Sequence, residues 1–251
     1  MPRNLKLILA YDGCDFAGWQ VQPDRATIQG TLAAAVEKVT GESVLPQGSG
    51  RTDAGVHALA QVASLKIASP IPAANLGVAL NDTLPASIRV LSVEEVAEDF
   101  HARKSARAKT YRYRIYRGKI CPPFLARYVY HHPYPLNEAA MIGAAAIVTG
   151  EHDFTSFAAV DPEAGTEESP PDNVRTIYSS EWKREGEEMV YTVRGNGFLH
   201  HMVRNLVGTF LMVGKGNLNT EGLRQILEVR NRSAAAATAP ASGLFLVSVE
   251  Y

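Results

Sequence analysis

The chain has 251 residues, a formal net charge of −1, 46% hydrophobic and 20% charged residues, the balance of a folded globular protein and outside the regime of disorder. No run of about 18 apolar residues occurs, which excludes a membrane-spanning helix, and two cysteines, Cys14 and Cys121, exclude a disulfide framework and lack metal or redox spacing. The opening MPRNLKLILAYDG carries one short apolar run and no small-residue cleavage site, so no signal peptide is read and the chain is expected in the cytoplasm.

In chain order, LKLILAY (5–11) alternates as a strand does and ends at Asp12-Gly13. Thr27 then caps a helix with Ile28, Leu32, Ala35, Val36 and Val39 on one face, closed by Gly41. After GSGRTDAGVHA (48–58) come a strand, LAQVASLKI (59–67), a short helix over 74–85 stopped by Pro85, and a strand, IRVLSVEEV (88–96). Strands and helices mix here without a βαβ rhythm, which favours an α+β sheet over a doubly wound one.

The basic stretch that follows joins two domains and enters the second as the strand TYRYRIYR (110–117). Asn137 caps a helix, EAAMIGAAAIVTG (138–150), and VRTIYSSEWKRE (174–185) pairs antiparallel with EEMVYTVRG (187–195). FLHHMVRNLVGTFLMVG (198–214) is the strongest helix, with Leu199, Met202, Val203, Leu206, Phe210 and Val213 as its apolar stripe. Thr220 caps a helix through Leu227, and LFLVSVEY (244–251) is a closing strand. The expected fold is α+β in two domains, 1–104 and 105–251, each a mainly antiparallel sheet with helices on one face. DPEAGTEESPPDN (161–173) reads as a flexible loop.

The charge is segregated. Residues 103–117 hold seven Lys or Arg and no acid, whereas residues 161–188 hold nine acids against three bases. In GSGRTDAGVHA, Gly48, Gly50 and Gly55 permit a loop that projects the Asp53 carboxylate into a cleft, but aspartate is also an ordinary turn residue; both readings stand. On the long helix Arg204 lies about 140° from Leu199, off the apolar stripe, with His200 one turn before it and Gly208 one turn after. A mid-helix glycine costs about 1 kcal/mol relative to alanine, so something packs or binds closely at Gly208. Arg204 is then either a bidentate partner for a carboxylate or a surface arginine. His200-His201 is no metal pair, since helical neighbours diverge by about 100°, His131-His132 is as weak, and GSG opens no phosphate loop. On TYRYRIYR, Tyr111 and Tyr113 face one way and Arg112 and Arg114 the other, suiting either a half-buried strand or a surface for unpaired bases and phosphates.

GSGRTDAGVHALAQV, FHARKSARAKTYRYRIY, GNGFLHHMVRNLVG and AAAATAPASGLFLVSVEY, with YDGCDFAGWQVQ near the start, resemble in order and spacing the tRNA pseudouridine synthase A family. The resemblance runs from about residue 5 to the end, and the loop 161–173 looks longer than the family's. It implies an isomerase that converts uridine to pseudouridine at positions 38–40 in the anticodon stem-loop of tRNA. It also implies a homodimer without cofactor or metal, with an active-site cleft between the two domains. By motif match Asp53 is the nucleophile, Arg204 its ion-pair partner, Tyr111 the contact to the substrate uracil, and Arg51 the cation that displaces the target base. Arg103, Lys104, Arg107, Lys109 and Arg112 become the phosphate contacts. A non-catalytic tRNA-binding or folding module is the rival reading, and an aspartate-based nucleoside hydrolase lacks a second well-placed carboxylate.

Overall fold

In the computed structural model residues 2–159 and 172–251 are described, so that the expected loop 161–173 falls, apart from Asp172 and Asn173, outside them. The strands and helices are β1 (Arg3–Tyr11), α1 (Ile28–Thr40), β2 (Gln47–Gly48), β3 (His57–Ile67), α2 (Ala73–Thr83), β4 (Ile88–Val96), β5 (Ala108–Tyr116) and β6 (Tyr130–His131). They continue with α3 (Glu138–Ala145), β7 (Gly150–Asp153), β8 (Val174–Glu185), β9 (Glu188–Gly195), α4 (Met202–Gly214), α5 (Thr220–Val229) and β10 (Leu244–Glu250). The fold class is α+β. Two units form, Met1–Lys109 with Phe245–Tyr251, and Thr110–Leu244. The closing strand thus belongs with the first unit, whereas a single cut at 104/105 assigns it to the second. Among the described residues no helix is long and apolar enough to cross a membrane.

In the first unit the strand order is β4-β1-β3-β10, with β2 also paired to β3. β1 runs antiparallel to β3 through Leu7↔Ala63 and to β4 through Leu7↔Val93, while β10 runs parallel to β3 through Phe245↔His57. Leu5, Leu7 and Leu9 are fully buried, as one face of an alternating strand should be, and each such side chain stabilises by about 2 kcal/mol relative to exposure. The helix α1 buries Ile28, Leu32 and Val36, and α2, which packs on β4 and α1, buries Leu76 and Leu80. The caps of α1 are the expected ones: Thr27 Oγ1 accepts from Gly30 N (3.2 Å), and Gly41 N–H returns to Glu37 O (2.8 Å).

In the second unit the order is β5-β9-β8-β7, with β6 parallel to β5. Trp182 of β8 opposes Tyr191 of β9, and the Tyr191 ring meets that of Phe210 from α4 at 5.2 Å, which seats the apolar stripe of α4 on the sheet. Three expected boundaries move. The helix begun at Asn137 ends at Ala145; Ala146–Val148 tighten into a 3-10 turn and Gly150–Asp153 becomes a strand beside β8. The run Ile147-Val148-Thr149 is β-branched and resists helix. The cap of α5 is Asn219, which accepts from Gly222 N (2.8 Å), so Thr220 is the first helical residue instead. Finally, α4 starts at Met202 because His201 takes a left-handed conformation (φ 59°), which places Leu199 and His200 ahead of the helix.

Candidate active site

Asp53 lies in the first unit between β2 and β3. Its carbonyl accepts from Val56 N (3.1 Å), closing a turn in which Gly55 adopts φ 78°, a conformation that costs other residues about 1–2 kcal/mol. The turn reading is therefore correct for the main chain of Asp53, whose side chain is half-buried.

The loop is tied down from several sides. Trp19 N donates to Thr52 O (3.0 Å), Gly55 N to Phe16 O (3.4 Å), Lys109 Nζ to Ser49 O (2.7 Å) and Gln61 Nε2 to Gly50 O (3.0 Å). The Tyr11 and Thr52 hydroxyls share a bond of 2.9 Å, and Ser49 Oγ donates to Gln61 Oε1 (2.6 Å). Burial pushes the Tyr11 phenol up to about 12, so at neutral pH it keeps the proton this network uses. Ser49 and Gln61 are both fully buried, and buried polar groups linked in this way rigidify a loop. Arg51 stands exposed on the same loop.

His57 begins β3 with its ring 1% exposed, stacked on Phe245 of β10 at 4.6 Å. Its Nδ1 accepts from Gly13 N (3.2 Å) and also lies 3.3 Å from Asp12 Oδ1. The second contact is an ion pair only if Nδ1 carries a proton, which would abolish the first. The bond from Gly13 N pins loop 12–14 to the start of β3 through His57. That gives it a structural role.

In the second unit Tyr111 projects from β5, 8% exposed, with its ring edge-on to Phe198 at 5.0 Å. Tyr113, two residues on, is fully buried and donates from its hydroxyl to Pro240 O (2.7 Å). Burial drives its phenol far above the usual range, against the opposing pull of nearby Arg204. Arg204 stands on the first turn of α4. Its Nε donates to Ala239 O (2.8 Å), and its own carbonyl accepts from Ala239 N (3.1 Å). One turn later a Cβ on Gly208 would lie 2.0 Å from Ala237 O. The close neighbour implied by a mid-helix glycine is therefore the chain's own segment 237–239, which covers the face bearing Arg204 and aims its side chain. His200, expected on that face, precedes the helix, and its ring lies 4.0 Å from that of His201, so the helical-angle objection to that pair does not apply.

The basic residues divide. Arg103, Lys104 and Arg107 are exposed. Lys109 spends one donor on Ser49 O and so supports the Asp53 loop, a role the sequence did not suggest. Arg112 is half-buried, and its Nε is buried with no hydrogen-bond partner among the described residues. Arg114 makes a two-pronged pair with Glu188 (2.7 and 2.6 Å), and Arg117 bonds Glu138 (3.2 Å), so neither adds net positive charge to the strip. What the sequence reading missed is the clamp by Trp19, Gln61 and Lys109. Its available signal was Gln61, a polar residue in the middle of a mostly apolar strand.

A family model described as tRNA pseudouridine synthase matches residues 7–103 and 144–251. The chain is 54% identical over 250 residues to tRNA pseudouridine synthase A of Solibacter usitatus, covering 99% of this chain and 100% of that protein. It is 46% identical over 249 residues to the protein of the same name from Brevibacillus brevis, covering 99% and 100%. With that of Caldicellulosiruptor bescii the identity is 44% over 249 residues, again 99% and 100%. The two segments matched by the family model contain the Asp53 loop, β3, α4 and the closing strand, and the chain belongs to the tRNA pseudouridine synthase family.

Proposed function

We propose that the protein isomerises uridine to pseudouridine at positions 38–40 in the anticodon stem-loop of tRNA, with Asp53 as the nucleophile. The observation that carries this reading is the Asp53 loop itself, closed by the bond from Val56 N to Asp53 O and held from outside by Trp19, Gln61 and Lys109. Such a frame presents a side chain in a fixed place.

The reaction breaks the C1′–N1 bond of the nucleotide and forms C1′–C5; C5 loses its proton and N1 gains one, so nothing is oxidised and no water is consumed. The base must first leave its stack, at a cost of a few kcal/mol. Arg51 takes the place of the displaced base, and the Tyr111 ring contacts the extruded uracil. Arg204 pairs with the Asp53 carboxylate, which serves as nucleophile or base in its ionised form. Three routes are open to that carboxylate: attack at C1′, addition at C6, or removal of the 2′ proton. Each needs a site closed to water, because a detached base is otherwise lost to hydrolysis. Two copies of the chain form the active dimer in the cytoplasm and bring two basic strips to the RNA.

Asp53→Asn should bind tRNA nearly as well as the parent and lose roughly three orders of magnitude or more in pseudouridine formation. Tritium release from C5-labelled uridine in tRNA measures this directly. Turnover at the parent rate would remove Asp53 from the chemistry, and a parent protein that binds tRNA without releasing tritium would establish the non-catalytic module instead. Arg204→Met should also lose turnover, and full activity would refute the ion pair.

A further inference from the structure

A pocket of about 180 Å³ opens in the first unit beside the Asp53 loop, lined by Trp19, Gln20, Gln47, Arg51, His101 and Arg103 among others. No carboxylate is among its lining residues. His101 sets the character of one wall. Its Nδ1 accepts from the backbone N–H groups of Arg103 (3.1 Å) and Lys104 (3.4 Å), and the backbone N–H of His101 donates to Ser105 Oγ (3.1 Å). A ring nitrogen that accepts carries no proton, so the neutral ring has its proton on Nε2 and offers that N–H to an occupant. The same hydrogen bonds fold residues 101–105 back on themselves, with Ser105 N also donating to His101 O (2.9 Å), and so fix where Arg103 starts.

Two guanidinium groups, an imidazole N–H and side-chain amides form a lining rich in donors. Such a set suits an anion with several acceptor oxygens. We propose that this pocket binds one backbone phosphodiester of the RNA strand that carries the target uridine, held by Arg103 and the His101 N–H and flanked by Arg51. The inference rests on the tRNA reading above and adds a specific subsite to it. Arg51 lies two residues from Asp53, so a phosphate anchored here fixes the strand's register next to the reacting nucleotide. Contacts of this kind position without reading sequence, which suits an enzyme that acts at neighbouring positions.

The test uses the full-length protein and a series of anticodon stem-loop RNAs. Each RNA carries one uncharged methylphosphonate with a 2′-O-methyl group at that residue, against the matching phosphodiester. At one linkage the parent protein should lose about tenfold in affinity, near the value of a lost charged hydrogen bond. Arg103→Gln should lose about as much with the phosphodiester RNA, lose nothing further at that linkage, and show a salt slope smaller by about one. His101→Asn, which keeps an acceptor for the two backbone N–H groups but places no donor at Nε2, should behave alike at that linkage. Penalties that multiply at every linkage for both variants would overturn the pocket. If the parent protein forms no pseudouridine in the native stem-loop, the tRNA reading itself falls, and the two failures are thereby distinct.

Discussion

His132 shows how one buried side chain ties stability to pH. It is buried, its Nδ1 meets an Nη1 N–H of Arg117 at 3.1 Å, and its carbonyl accepts from the same nitrogen. Burial first, and then the charges of Arg117 and Lys215, push its pKa down from 6.5. The folded state therefore holds fewer protons than the unfolded one. Near pH 7.5 both forms are neutral and His132 contributes nothing; below about 6.5 the unfolded chain takes up a proton that the folded one refuses, and stability falls. The melting temperature of His132→Asn should fall less between pH 7.5 and 5.5 than that of the parent protein, and equal slopes would dismiss this account. Asp53 was legible from its surroundings in the sequence as a turn residue or a reactive one, and proves to use its main chain for the turn. His57 was not legible, because its partners are Gly13, far back in the chain, and Phe245, near its end.

At the scale of elements, the pairing of α4 with segment 237–239 carries the clearest energetic consequence. Gly208→Ala gains about 1 kcal/mol of helix propensity, but its Cβ would sit 2.0 Å from Ala237 O. Displacing backbone at an overpacked site costs about 1–3 kcal/mol. Since Ala239 also holds both ends of Arg204, relief of the clash has to move that segment or the helix. Urea unfolding should show Gly208→Ala less stable by up to about 2 kcal/mol; a variant more stable than the parent would mean that the segment yields freely. Helices were legible where periodicity and caps agreed, as in α1. They were misjudged where one signal stood alone. The apolar stripe ran back to Leu199 although His201 turns the chain left-handed, and the alanine run of α3 led into residues whose branching and burial favour another conformation.

For the whole molecule, the charge segregation and the return of the chain matter most. With a net charge of −1, any attraction for RNA must come from local excess, and the exposed Arg103, Lys104 and Arg107 supply it. Reversing all three to glutamate should weaken tRNA binding and flatten the dependence of log K on log salt by about 2–3; filter binding from 50 to 300 mM salt, roughly the range in which such slopes are read, gives the answer. An unchanged slope would take the strip out of the interface. The first unit contains Phe245–Tyr251, with Phe245 paired to His57 and the Tyr251 hydroxyl donating to Ala102 O (2.8 Å). A fragment ending at Lys109 therefore exposes part of the β3 edge and loses the stacking on His57. It should lack a cooperative thermal transition, and a sharp one would show β10 to be dispensable.

By itself the amino-acid sequence determined the α+β class, the α1 helix with its caps, the antiparallel β8 and β9 pair, and the family, because these depend on periodicity, local caps and contiguous motifs. Only the tertiary structure decided that β10 completes the first unit, that segment 237–239 rather than a ligand faces Gly208, that Lys109 braces the Asp53 loop, and that His57 is a pin. Each of these joins residues tens to hundreds of positions apart, and neither hydrophobic period nor capping chemistry carries information over that separation.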